Sequence, residues 1–246
     1  MEATFVLTLS GVVRMIELTY IFGLGAGGMA LGSIAFISEW ISSTDRSKYY
    51  ATLTGISLTA MIAYTSMSLG YGIIEVDARA VFAPRYIDWI ITTPLLLLFI
   101  GMIAGSDKRE LATTVFVNTV VMVAGFGAAL ISGPGKFVAF GFASVAYIAL
   151  IYLLTVSMTK TAEDRPERVS SLFRSLRNLT VILWSIYPII WLLSSAGFSV
   201  ITVPVNVMLV TYLDILTKVG FGLIAINTSS AVGSASSEGA IATDPS

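Results

Sequence analysis

The stretch Tyr212-Leu213-Asp214-Ile215-Leu216-Thr217-Lys218-Val219-Gly220-Phe221-Gly222 decides the fold. It lies inside an apolar run, Val203 to Ile226, long enough to cross a bilayer, in which Asp214 and Lys218 are the only charges. Four residues apart on a helix, they share one face, one turn from each other. A charge at the bilayer centre costs on the order of 3 kcal/mol by insertion scales. Two readings follow from the stretch alone: a structural Asp–Lys strut between helices, or a functional group held inside the membrane.

The rest of the chain fits a membrane setting. It has 246 residues, of which 56% are hydrophobic and only 12% charged, and its mean hydropathy is +0.87. Soluble domains carry about 25% charged residues. Without cysteine there is no disulfide or thiol chemistry, and without histidine the commonest metal ligand and general base is missing. No metal site and no enzymatic activity are therefore expected. A net charge of −1 gives no basic patch for nucleic acid. The first apolar stretch has neither a basic leader nor a small-residue cleavage site, so Met1 to Leu18 reads as a lead-in to the mature chain.

A hydrocarbon core of about 30 Å needs about 20 apolar residues per helix. The segments that meet this test are Leu18–Ile41, Tyr50–Ile74, Val81–Ala104, Leu111–Ile131, Phe137–Met158, Leu176–Ser195 and Val203–Ile226. Their separators are short, so sequential helices pack as antiparallel neighbours. The expected fold is an all-α membrane protein, a seven-transmembrane-helix bundle over residues 1–228. A disordered Ser/Ala/Gly-rich tail is expected over residues 229–246. With the N-terminus outside, the cytoplasmic side holds Arg46, Lys48, Lys108, Arg109, Lys160, Arg165, Arg168, Arg174 and Arg177, against Arg14, Arg79 and Lys136 outside. This positive-inside bias puts the C-terminus in the cytoplasm and the chain in the cell membrane as a multi-pass protein.

Four charged residues remain inside the bilayer: Arg85, Asp88, Asp214 and Lys218. They balance to zero, and mutual pairing is the least costly way to keep them there. The third span should then face the seventh. In that span Arg85, Asp88 and Thr92 share a face, and Asp88 can accept the Thr92 hydroxyl. In the sixth span Trp184, Tyr187 and Trp191 recur on one face, a pattern that packing also produces. An amine buried in an apolar pocket becomes nucleophilic. An aromatic slot beside it suits a long, flat, apolar carbonyl compound, and Asp88 and Asp214 supply counterions for the protonated Schiff base that would form.

Three motifs carry a resemblance: Arg85-Tyr86-Ile87-Asp88-Trp89-Ile90-Ile91-Thr92-Thr93-Pro94, Leu176-Arg177-Asn178-Leu179-Thr180-Val181-Ile182-Leu183-Trp184-Ser185-Ile186-Tyr187-Pro188, and the opening stretch. From about Phe22 to Ile226 the chain resembles the haloarchaeal microbial rhodopsins. The resemblance implies retinal bound to Lys218 as a protonated Schiff base. It implies Asp88 as proton acceptor and primary counterion, Asp214 as second counterion, Arg85 as a switchable cation and Tyr64 as its neighbour. Trp89, Thr92, Met122, Gly125, Phe140, Ala143, Tyr147, Trp184, Tyr187 and Trp191 match positions that line the retinal pocket.

The resemblance also separates branches. Phe99 stands where proton pumps carry a donor aspartate, and Ala196 and Asn206 stand where they carry releasing glutamates. Asp88 is retained, unlike in chloride pumps. This is the pattern of sensory rhodopsin II (phoborhodopsin) and of the middle rhodopsins. Thr217 matches a signalling threonine bonded to the tyrosine at Tyr187, and Tyr212 matches a tyrosine that touches a two-span membrane transducer. A back-bonded threonine and a packed tyrosine remain alternative readings. The run Leu95 to Leu98 is shared with the pumps. The expected function is a photoreceptor with a slow photocycle that signals phototaxis through a transducer. The rivals are a light-driven outward proton pump of low turnover and, with no soluble domain in view, a light-dependent enzyme. Lipid is the expected surrounding, and a homo-oligomer is compatible with the surface.

Overall fold

The computed structural model describes residues 2–42 and 46–228, with side chains from residue 17 onward. Its order is α1 (Glu2–Ser42), α2 (Ser47–Ser68), β1 (Ile73–Val76), β2 (Arg79–Phe82), α3 (Ala83–Ala104), α4 (Lys108–Leu130), α5 (Gly135–Tyr152), α6 (Met158–Glu163), α7 (Glu167–Trp184), α8 (Ile186–Leu193) and α9 (Val203–Ile215). One π-turn, Leu153–Ser157, joins α5 to α6, and another, Leu216–Gly220, follows α9 before the helix resumes. Among the described residues, six helical stretches are long and apolar enough to cross a membrane. The 22-residue α2 is long enough but rich in hydroxyls. It hides them by back-bonding, as in Thr52 to Lys48 O, Thr59 to Gly55 O and Ser66 to Ile62 O. With α2 between its neighbours, the chain is a multi-pass helical bundle.

The expected boundaries need three corrections. The lead-in is not separate: from Glu2 it forms one helix with the first span, and no proline interrupts it. The second span stops at Ser68 rather than Ile74, and the third starts at Ala83 rather than Val81. The apolar residues between them form a short antiparallel hairpin pairing Ile73 with Phe82 and Val76 with Arg79, a connection between spans of the helical bundle. The sixth span begins at Glu167, nine residues before Leu176, in polar turns that an Arg174–Glu167 ion pair of 2.6 Å supports. Met1 and the expected tail over residues 229–246 lie outside the described residues.

Local chemistry places several breaks. Gly105 ends α3 in the left-handed region at φ 80°. Asp107 caps α4 by accepting the Glu110 N–H at 2.7 Å. Pro188 cannot donate to the Trp184 carbonyl, and the helix breaks at Ser185. In the hairpin turn Asp77 (φ 48°) and Ala78 (φ 58°) both have positive φ, as a two-residue turn between right-twisted strands demands. A β-carbon is disfavoured there, so Ala78→Gly is expected to stabilise the fold by about 1 kcal/mol. A rise in thermal midpoint in detergent would show it, and a fall would contradict the strain.

Among the described residues, two of the three apolar clusters leave room between them for a polar layer. One contains Phe36, Leu53, Leu96, Phe99, Leu154, Phe173, Trp184 and Phe221. The other, toward the hairpin, contains Phe22, Met29, Tyr64, Met67, Phe82 and Val207. Along α3, Arg85, Asp88 and Thr92 fall between the two. Close packing of α1 on α2 and on the last helix holds this layer. A Cβ on Gly25 would collide with the Tyr64 ring, and one on Gly222 with the Phe36 ring.

Candidate functional site

Lys218 sits in the π-turn Leu216–Gly220, 2% exposed. π-turns inside α-helices recur at functional sites, because the extra residue re-aims the side chains around it. The Lys218 amine donates to Asp88 Oδ2 on α3 and lies 3.9 Å from Asp214 Oδ2, one turn back on its own helix. The third and seventh spans therefore face each other through an acid–amine–acid cluster.

The two carboxylates differ in their partners. Asp214 accepts Tyr64 Oη at 2.7 Å, Tyr187 Oη at 2.6 Å and Trp89 Nε1 at 3.1 Å to Oδ1 and 3.3 Å to Oδ2. Three fixed donors from three other helices thus hold a negative charge on it. Asp88 has the amine on Oδ2, while Oδ1 is buried without a hydrogen-bond partner. The Thr92 hydroxyl neighbours the Asp88 carboxylate, as expected, but its best-formed hydrogen bond goes elsewhere. The Thr92 hydroxyl reaches back 2.8 Å to the Asp88 main-chain carbonyl instead, the usual economy of a threonine within a membrane helix.

Arg85 also departs from expectation. It is buried, but among the described residues it forms no ion pair with either carboxylate. Its guanidinium lies 5.8 Å from the Phe22 ring centre and 5.4 Å from that of Phe82, with Nε and Nη2 unpartnered. The four intramembrane charges are a paired triad and a separate cation over aromatic faces. Tyr64, expected beside Arg85, spends its hydroxyl on Asp214.

A cavity of about 170 Å³ opens from the Lys218 amine. Trp89, Met122, Gly125, Phe140, Ala143, Tyr147, Trp184, Tyr187 and Trp191 all line it, whereas Thr92 and Asp88 do not. Trp191 stacks on Phe140 at 4.4 Å, and Trp89 meets Tyr187 edge to face at 5.2 Å. Thr93 takes the place on the wall expected of Thr92. It donates to Trp89 O at 2.6 Å and accepts from the buried Asn118 Nδ2 at 2.7 Å. The sequence reading missed Thr93 and Asn118, and also Tyr86 and Val210 on the wall. An uncharged polar residue in a membrane helix carries no signal of its own until its partner is placed.

The wall suits a long conjugated aldehyde. Aromatic faces flatten the space, and a Cβ at Gly125 would meet nothing within 4 Å, so the wall is open there. A buried amine closes one end beside counterions. Phe99, on the far side of Leu96 along α3, is buried edge to face between Tyr49 at 5.6 Å and Phe221 at 5.5 Å. The Thr217 hydroxyl lies 3.5 Å from Tyr187 Oη and 3.3 Å from the Asp214 carbonyl, so both readings of Thr217 have a geometric basis. Tyr212 is 63% exposed on the bundle's outer surface.

Comparison with known proteins gives a consistent result. Residues 17–232 match the family model described as bacteriorhodopsin-like protein. The chain is 49% identical to sensory rhodopsin-2 of Natronomonas pharaonis over 87% of its own length and 90% of that protein. It is 34% identical to the bacteriorhodopsin of Halobacterium salinarum, over 86% of its own length and 84% of that protein. Among solved structures, cyanorhodopsin from Calothrix superposes with a TM-score of 0.84 at 31% identity, covering 86% of this chain and 94% of that one. Thermophilic rhodopsin from Rubrobacter xylanophilus gives 0.83 at 33% identity, covering 86% and 95%.

Proposed function

The chain belongs to the bacteriorhodopsin-like family, and from that premise we propose that it is a retinal photoreceptor whose chromophore is carried on Lys218. The observation that carries the reading is the buried amine between an open carboxylate and a saturated one, at the end of an aromatic cavity. Retinal bound there supplies a light-driven change of shape at Lys218 Nζ. The chain's own groups then decide where the proton on that nitrogen goes. Asp214 is filled by three donors, so Asp88, with its bare Oδ1, is the acceptor. Once Asp88 is neutral, its attraction for Nζ is lost and the last helix is released from α3.

Return of the proton is slow because Phe99 stands where a carboxylic acid would be needed to supply one. Tyr49, Phe99 and Phe221 make an aromatic plug without a carboxylate between the amine and the end of the bundle that bears the α3–α4 turn. The basic residues gathered at that end favour a cytoplasmic placement, with the hairpin outside. A long-lived deprotonated state suits signalling. Tyr187 and Thr217 join α8 to the last helix beside the site, and Tyr212 offers an aromatic contact to a membrane-embedded partner. We assign that partner as a two-span transducer, with the similarity to sensory rhodopsin-2 in support. The retained acceptor also fits a slow proton pump, but the plug and the uncharged Ala196 and Asn206 weigh against it.

Flash photolysis of the purified pigment, with and without azide, tests the reading alongside light-induced pH changes in cells. A slow blue-shifted state that azide shortens, with negligible pH change, is expected. A fast cycle with sustained outside acidification contradicts it. Phe99→Asp should restore a carrier and speed decay of that state about a hundredfold, the usual scale of a positioned acid. An unaltered decay would remove the plug from the account.

A further inference from the structure

The hairpin forms part of the cavity wall. Arg79, Ala80, Val81 and Phe82 all line the cavity that begins at Lys218. Arg79 opens β2 directly after the positive-φ turn, which points the strand back toward the bundle. Its side chain is 10% exposed, and Nη2 donates to the Ile131 carbonyl at 3.2 Å. Nη1 is buried without a partner. The nearest acid, Asp77, lies 4.0 Å away with its side chain 52% exposed, and it accepts the Gly133 N–H at 3.3 Å. These two bonds fasten the hairpin to the turn between α4 and α5, leaving Asp77 in water and the guanidinium in the wall.

The cavity segment between Lys218, which carries Asp88 beside it, and this hairpin is electropositive. Arg85 stands in it with two unpartnered nitrogens, and Arg79 closes it. The remaining polar wall is uncharged, including Ser194, Ser195 and Asn206. Asp214 is the only acid among the lining residues, and its oxygens are filled. Glu75, on the neighbouring strand, is exposed. A proton moving outward from Asp88 meets two cations in succession in a setting of low dielectric, where like charges repel strongly.

We propose that Arg79 is a cationic stopper at the outer end of the cavity that keeps the proton accepted by Asp88 from reaching the outer medium. This inference rests on the receptor reading above and adds the residue that separates a returning proton from a released one. Arg79 acts through the field it sets across the cavity rather than by touching the chromophore.

The test uses the full chain with retinal in liposomes and a membrane-impermeant pH dye on the hairpin side. Flash-induced proton release per cycled pigment is compared for wild type, Arg79→Gln, Arg79→Met and Arg79→Lys, with the visible band reporting a folded pigment in each. Release from the two neutral variants should exceed wild type by about fivefold or more, while Arg79→Lys should stay at the wild-type level. Equal release from wild type and a folded neutral variant overturns the proposal. Equal release from Arg79→Lys and Arg79→Gln also overturns it, because shape rather than charge would then be the barrier. Wild type that forms no visible pigment overturns the receptor reading itself.

Discussion

Lys218→Ala should give a protein with no visible absorption band after incubation with retinal. The amine is the only nucleophile in the cavity wall that can form the covalent link, and nothing beside it substitutes: Thr217 and Asp214 are its lining neighbours on the same helix. The substitution has a second consequence. It leaves Asp88 and Asp214 facing each other without the cation between them. Breaking a buried pair from one side typically costs about 3–5 kcal/mol. Loss of colour should therefore come with a lower thermal midpoint. Restoring one neutral partner, in Lys218→Ala with Asp88→Asn, should recover part of that stability but none of the colour. A visible band in the single variant would refute the assignment of the site.

Asp88→Asn should have the next largest effect. An amide in that position cannot take the proton, and Asp214 has no free oxygen to replace it. The deprotonated blue-shifted state should fall by at least about a hundredfold in yield, the scale of removing a positioned base. Removing the negative charge beside Nζ also takes away what localises positive charge there, so the dark band should move to longer wavelength. Asp214→Asn should behave differently. It unseats Tyr64, Tyr187 and Trp89 together, so the loss should show as disordered packing and lower stability while Asp88 can still accept. Equal loss of proton transfer in both variants would contradict the division of labour.

The contrast between the two acids shows what was legible in the sequence. Asp88, Asp214 and Lys218 stand out because a charge in an apolar run is costly, whatever surrounds it. Their mutual approach follows from the same cost. Which acid is saturated does not follow, because Tyr64, Trp89 and Tyr187 reach Asp214 from three different helices, and that depends on helix rotation. Arg85 was expected to join the pairs, yet two phenylalanine faces, Phe22 and Phe82, hold it apart. The hairpin was hidden for a compositional reason. Ile73, Ile74, Val81 and Phe82 read as the ends of two spans, and only Gly70, Gly72 and the Asp77-Ala78 turn mark a strand pair. The π-turn at Lys218 has no residue signature, since Leu216 to Gly220 continues the apolar pattern of α9.

Arg79 illustrates the same limit in another way. In the sequence it is one of a few basic residues on the side with fewer of them. In the folded chain it becomes part of the cavity wall, because a two-residue turn sends β2 back over the opening. Its role depends on the hairpin's fastening to Ile131 and Gly133, and no spacing in the sequence announces that contact.

The central claim is that light moves a proton from Lys218 Nζ to Asp88 and not to Asp214. Time-resolved infrared difference spectroscopy on the retinal-loaded pigment reads this transfer directly, as a protonated-carboxyl C=O band that rises with the blue-shifted state. The account predicts that this band is present in wild type, absent in Asp88→Asn and retained in Asp214→Asn. A band that survives in Asp88→Asn and disappears in Asp214→Asn would contradict it.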